Sequence, residues 1–267
     1  MAVALAPAPG PGHLTLRALR CWLVVYRRIW RSSIASSFLG PLFYLGAMGY
    51  GLGSLVDAHG TASLGGVSYL QFVAPAILAT QAMQSAISES TFPVFGSVKW
   101  NKLYIAAQAT PLRPADIFRG HLLFITLRIT LNSAVYLVVM AAFGAARSAW
   151  LILGLPAAVL LGLAFAAPTA AWAVTRQVET SFNYVFRFGM IPLMLFSATF
   201  FPLSQLPGWL RPVAYATPLW HGVALCRGLS LGTLSPAAAA IHVGYLAVLA
   251  GIGVWAGDRT YRRRLYV

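Results

Sequence analysis

Apolar residues in this chain gather in long unbroken runs, and those runs measure up to a membrane. A helix crossing the hydrocarbon core needs roughly 20 mostly apolar residues. Ile34 to Val56, Val67 to Ile87, Leu122 to Phe143, Ala149 to Val174, Tyr184 to Leu203 and Ala237 to Ala256 reach that length and predict six transmembrane helices. A further apolar run, Leu206 to Leu231, is broken by Pro207, Pro212 and Pro218 and interrupted by Arg211, His221 and Arg227.

Composition supports the membrane reading. Of the 267 residues, 59% are hydrophobic and only 9% are charged, against about 25% charged in an ordinary soluble domain. The net charge of +14 would suggest nucleic acid in a soluble protein; in a membrane protein it first has to be read as topology. With six spans, fifteen Lys and Arg residues fall on the side that holds both termini and three (Arg147, Arg211, Arg227) on the other, Arg128 lying within a span. Positive charge stays inside, so both termini are expected in the cytoplasm. A seventh crossing at Leu206 to Leu231 would send Arg262, Arg263 and Arg264 outside. That segment is therefore expected to dip in from the outer face and return, covered by protein where its backbone is irregular.

Residues 1–15 are rich in Ala, Pro and Gly and read as a disordered lead, not a signal peptide, because the bases precede a full-length span. Residues 16–33 are patterned. At 100° per residue, Arg17, Arg20, Arg27, Arg28 and Arg31 fall within an arc of about 100°, and Leu19, Trp22, Tyr26, Ile29 and Trp30 lie opposite. That predicts a basic amphipathic helix in the inner membrane interface. The permease domain is expected over 34–257, and 258–267 as a basic cytoplasmic tail.

Catalytic constellations are missing. The five carboxylates and five histidines are scattered, with no metal-ligand spacing. Gly228-Leu229-Ser230-Leu231-Gly232 matches a nucleophile elbow, but that motif works only at a strand-to-helix turn. No phosphate-cradling GxxxxGK[ST] is present, which excludes ATP hydrolysis by the P-loop route. No metal site and no cofactor are expected on the chain.

Two connections are expected to carry the function. Between spans two and three, Ser97 to Thr110 predicts a short helix stopped by Thr110-Pro111, because a residue before proline avoids the helical region. Lys99, Trp100, Asn101, Lys102, Leu103 and Tyr104 form its expected docking face. Pro114 and Asp116 then suit the first turn of span three. On the outer side, Ser197 to Leu210 leads through Pro218-Leu219-Trp220-His221 to Arg227-Gly228.

These two stretches resemble the membrane subunit of type 2 ABC exporters. The resemblance rests on Phe200-Phe201-Pro202 with Leu206-Pro207, on Pro218 to His221 with the trailing Arg227, and on Ala109 to Leu112 followed by Pro114 to Gly120. It is nearest to the nodulation-type lipo-oligosaccharide and daunorubicin-resistance permeases. The resemblance implies two copies of a separate ATPase, holding ATP and Mg, and a second permease subunit, identical or paralogous. It implies that Lys99 to Tyr104 couple to the ATPase. It also implies that Phe200, Phe201, Pro202, Leu206, Pro207, Pro218 and His221 belong to the translocation path or outer gate.

Inside the membrane, Arg128 either snorkels to inner headgroups, pairs with Glu89, or touches an anionic cargo. The combined expectation is an all-α integral membrane protein of a bacterial plasma membrane. It has six transmembrane helices, an interfacial helix, a cytoplasmic coupling helix and an outer re-entrant hairpin. Its expected work is outward movement of an amphipathic or lipid-linked molecule, with lipids but no nucleic acid as surroundings. Alternative readings are an ion-coupled secondary transporter, for which mid-membrane carboxylate relays are missing, and an intramembrane lipid-modifying enzyme.

Overall fold

The computed structural model describes residues 11–60 and 64–265, and every regular element among them is helical. The expected lead, 1–15, falls largely outside those residues.

Helix α1, Pro11–Gly46, continues through a π-turn, Ala47–Leu52, into α2, Gly53–Ala58. It starts at Pro11 and does not stop near residue 33. The expected interfacial helix and first span are therefore one helix, because no Gly or Pro interrupts residues 13–39. Its faces divide as the pattern predicts. Arg17, Arg20, Arg27, Arg28 and Arg31 are exposed, while Ala18 is buried and Trp22 and Tyr26 half-buried against a later helix. The side chains of Ile29 and Trp30 lie outside the described residues.

Helix α3, Tyr69–Ser90, opens on a capping box in which Ser68 and Gln71 satisfy each other's backbone N–H groups. Helices α4, Phe92–Lys99, and α5, Leu103–Gln108, follow. Helix α6, Pro114–Ala142, has proline at its first position, and Asp116 accepts from the Arg113 N–H at 3.3 Å. A 3-10 turn, Ala149–Leu153, runs into α7, Gly154–Ala173. Helix α8, Ser181–Tyr184, a second π-turn, Val185–Met190, and α9, Ile191–Phe196, form one short apolar rod. After a 3-10 turn at Leu203–Gln205 come α10, Arg211–Tyr215, α11, Pro218–Leu231, and α12, Pro236–Leu265.

Four helices among the described residues are long and apolar enough to cross a membrane: Phe38–Ala58, Pro114–Ala142, Ala149–Ala173 and Pro236–Leu265. The other two expected spans fall short for different reasons. α3 has 22 residues but carries Gln71, Gln81, Gln84 and Glu89, which dilute its hydropathy. The fifth, expected over Tyr184 to Leu203, is the rod Ser181–Phe196, about 24 Å long at 1.5 Å per residue. The segment Leu206 to Leu231 does not form a crossing helix. Its longest helix, α11, has 14 residues, about 21 Å against a core of about 30 Å.

Helix α7 is the centre of the bundle and touches α3, α6, α11 and α12. Its alanines, from Ala157 to Ala173, are largely buried, and small residues let helix backbones approach closely in an apolar medium. Two glycines of α12 show how closely. A Cβ on Gly253 would lie 2.5 Å from the Pro168 ring, and one on Gly257 would lie 2.1 Å from the Phe118 ring. Both contacts are within the subunit. The basic tail is not a separate element, for α12 stays helical to Leu265, whose carbonyl accepts a hydrogen bond from the Gln108 side chain.

Candidate functional site

Polar and aromatic groups concentrate at the two ends of the bundle. At the basic end the expected single helix over Ser97 to Thr110 is instead two. Lys102 adopts a left-handed conformation, φ 50°, which ends α4 and re-aims α5. Trp100, Asn101, Lys102 and Ile105 are exposed there, Trp100 by 55%. Its ring lies over Gly96 and edge-on to Phe95, 5.5 Å between centroids. Lys99 donates to Gln177 at 2.7 Å, and Arg264 donates to the same oxygen at 3.3 Å, tying α4 to the end of α12.

Tyr104 departs from the expected docking face. It is 1% exposed, because a helix as short as α5 must turn its one large aromatic inward to hold its place. Its hydroxyl bonds to Nδ1 of His121 on α6. Its ring meets Tyr261 of α12 at 5.7 Å and Trp22 of α1 at 6.4 Å. Burial, with Tyr261 beside it, pushes the Tyr104 phenol well above its ordinary range, so the hydroxyl keeps its proton. Trp22 stacks on His121 at 3.9 Å, and Thr15 donates to Asp116 at 3.0 Å. α5 is thus keyed into α1, α6 and α12 at once. Leu103 is half-buried beside it. The pattern Trp22, Tyr26 already marked the apolar face of α1; that α6 covers it required the fold.

Near the end of α3 that leads into α4, Glu89 and Arg128 are brought together, 2.8 Å apart, with side chains 21% and 17% exposed. Arg128 also lies over the Tyr26 ring at 5.2 Å.

At the far end the loop after α9 is held from three sides. Ser197 and Thr217 share a hydrogen bond of 3.0 Å. Ala198 is left-handed, φ 59°, a conformation that costs roughly 1–2 kcal/mol outside glycine. Arg227 holds that turn, donating to the carbonyl oxygens of Ala198 at 2.8 Å and Phe72 at 2.9 Å. Its guanidinium stands 3.7 Å over the Phe72 ring. Arg227 stands out in the sequence as an interruption of the apolar run and as the arginine trailing Pro218 to His221, but nothing local signals that its partners are carbonyls of two other elements.

Of the expected gate residues, Leu206 and His221 are buried, Phe200, Phe201, Pro202 and Pro218 half-buried, and Pro207 exposed. His221 Nδ1 lies 2.8 Å from His242 Nδ1, and its ring stacks on Tyr245 at 3.9 Å. That docks the hairpin onto α12. Ser230 of the elbow-like motif is buried within helix α11, with no strand near it.

Residues 17–230 match the family described as ABC-2 type transporter. Among curated proteins, the chain is similar to nodulation protein J of Rhizobium leguminosarum bv. trifolii, 32% identical over 255 residues, covering 91% of this chain and 94% of that protein. It is 30% identical to nodulation protein J of Rhizobium leguminosarum bv. viciae over 276 residues, 99% of both chains. The same protein of Rhizobium meliloti is 30% identical over 254 residues, with 91% and 94% covered.

Proposed function

This chain belongs to the ABC-2 type transporter family, a multi-pass membrane permease whose ATPase is a separate subunit, and on that premise we propose that it exports a lipo-oligosaccharide or similar amphiphile. The cargo class rests on the similarity to nodulation protein J. The basic end faces the cytoplasm with both termini, because fifteen bases gather there. α3 and the rod of α8 and α9 complete six spans, and a second permease copy closes the path.

One observation carries the ATP-driven reading. α5 exposes Ile105, and the turn before it exposes Trp100 and Lys102, while Tyr104 is locked among α1, α6 and α12. A protein seated on that surface has a mechanical grip on three long helices at once. We place the coupling contact with two ATPase subunits there, at Lys99 to Leu103, with Tyr104 as the inward anchor. Closure of the ATPases on ATP and Mg then shifts the permeases as rigid bodies. Phe200 to Pro202 and the hairpin from Leu206 to Leu231 form the outer gate, pinned in the resting state by Arg227 and the His221–His242 contact.

Co-expression with the P-loop ATPase encoded nearest to this reading frame tests the proposal. The ATPase co-purifies with the wild-type chain, and Trp100→Glu abolishes capture without changing the yield of folded permease. Undiminished capture by Trp100→Glu would remove α4 and α5 as the docking surface.

A further inference from the structure

Helix α3 has two unlike halves. From Phe72 to Thr80 every side chain is buried, packed among α6, α7 and α11. Beyond Thr80, the residues Gln81, Gln84, Ser85, Ser88 and Glu89 occupy positions i, i+3, i+4, i+7 and i+8. At 100° per residue they share an arc of about 140°. Ala82, Met83, Ala86 and Ile87 fill the opposite arc and are buried, whereas all five polar side chains are half-buried or exposed. The stripe runs about 12 Å at 1.5 Å per residue. α6 extends it sideways, with Asn132 donating to Ser85 Oγ at 3.4 Å and Arg128 pairing with Glu89. On the other flank Gln84 reaches Met194 of α9 at 3.5 Å.

Polar and ionisable groups within membrane segments face a bundle interior or a wet cavity, not lipid. This stripe is too open to be a sealed packing network. Its two formal charges neutralise each other, which leaves amides and hydroxyls that both donate and accept. That inventory suits a ligand with many uncharged hydroxyls. A phosphate group would call for a cation not already matched to a carboxylate.

We propose that the polar face of inner α3, Gln81, Gln84, Ser85 and Ser88 with Asn132 of α6, is a binding track for the uncharged, hydroxyl-rich head group of the cargo. The proposal rests on the export reading above and adds where, and by what chemistry, the head group is held. The track opens at the basic end and stops at Thr80, where the buried half of α3 begins. A head group therefore enters from the cytoplasmic side and halts near mid-membrane until the subunits move.

Single cysteines at Gln84, Ser85 and Ser88, in a Cys21→Ser background that keeps the buried Cys226, test this in proteoliposomes of the full chain. A water-soluble thiol reagent is presented to both faces. The three positions are expected to react at least about tenfold faster than a cysteine at Val138, on the exposed apolar face of α6. Dodecyl maltoside below its micelle concentration slows the reaction at Ser85→Cys, and dodecylphosphocholine does not. Reaction no faster than at Val138→Cys, or disulfide cross-linking of two copies through Ser85→Cys, overturns the track. Slowing by the phosphocholine alone, or by neither amphiphile, overturns the head-group assignment. Loss of ATPase capture is a separate result that bears on the export reading and leaves the labelling pattern standing.

Discussion

The Arg128 guanidinium of α6 lies 2.8 Å from the Glu89 carboxylate of α3, and both side chains are mostly enclosed. Glu89→Gln leaves a mostly enclosed cation without its carboxylate. The cost should be about 1–3 kcal/mol, between the values for exposed and fully buried pairs. Glu89→Arg combined with Arg128→Glu should recover most of the monodisperse yield that either single change loses, read by fluorescence-detected size exclusion. No recovery in the double exchange would show that the two charges do not depend on each other.

Tyr104 and Trp100 sit four residues apart on α5 and the turn before it, yet they should fail in different ways. Tyr104→Phe keeps the ring and removes the hydrogen bond to buried His121, a loss of about 1–3 kcal/mol. Tyr104→Ala also opens a cavity, in the range of about 3–5 kcal/mol. Trp100→Ala, at an exposed position, should leave thermal stability nearly unchanged and weaken ATPase capture. Thermal unfolding in detergent, measured beside the pull-down, separates the two; equal destabilisation by both would contradict the division of roles.

Gly253 of α12 has no room for a methyl group. The Cβ would meet the Pro168 ring at 2.5 Å and the backbone nitrogen at 2.7 Å, and proline backbone cannot swing aside as a flexible side chain can. Gly253→Ala should lower stability by at least about 1–3 kcal/mol, the usual range for overpacking. Gly251→Ala, with nothing near its Cβ, is the matched control. Comparable melting temperatures for the two variants would contradict the close contact of α12 with α7.

Acid should loosen the outer hairpin. Burial, aided by the neighbouring His242, holds the His221 pKa below its ordinary value, against a smaller opposing pull from a hydrogen bond to the Tyr215 backbone. An unfolded histidine titrates at about 6.5. As pH falls through that value the unfolded chain takes up its proton first, so the native packing loses stability; above it the contribution is complete. His221 faces His242, Tyr245 and Trp220, and none of these is a carboxylate that would hold a protonated ring. The wild-type melting temperature should therefore drop more between about pH 7.5 and 5 than that of His221→Gln. Equal drops would remove His221 as the source.

What the sequence made legible, and what it did not, follows from how far each interaction reaches. Long apolar runs located the four long helices, and Pro207, Pro212 and Pro218 marked the segment that breaks into short helices. The two faces of α1 were readable because arginines and aromatics alternate at helical spacing. Its partner was not, since lipid headgroups and α6 ask for the same amphipathic face. Tyr104 was misplaced for a different reason. A six-residue helix has too little periodicity to say which aromatic points in. The left-handed Lys102 and Ala198 carry no glycine to announce them, and Arg227 is tied to Ala198 and Phe72 across 29 and 155 residues of sequence. The polar spacing of Gln81 to Glu89 is in plain view, but the apolar run from Val67 to Ile87 around it reads first as a span.

The central claim is that this permease moves its cargo outward on energy supplied through α4 and α5 by a separate ATPase. Inside-out vesicles holding the chain with its co-purified ATPase test that most directly, with uptake of a radiolabelled lipo-oligosaccharide as the readout. The account predicts accumulation that needs ATP, survives dissipation of the proton gradient, and disappears in Trp100→Glu. Accumulation driven by an imposed ion gradient without ATP would contradict it.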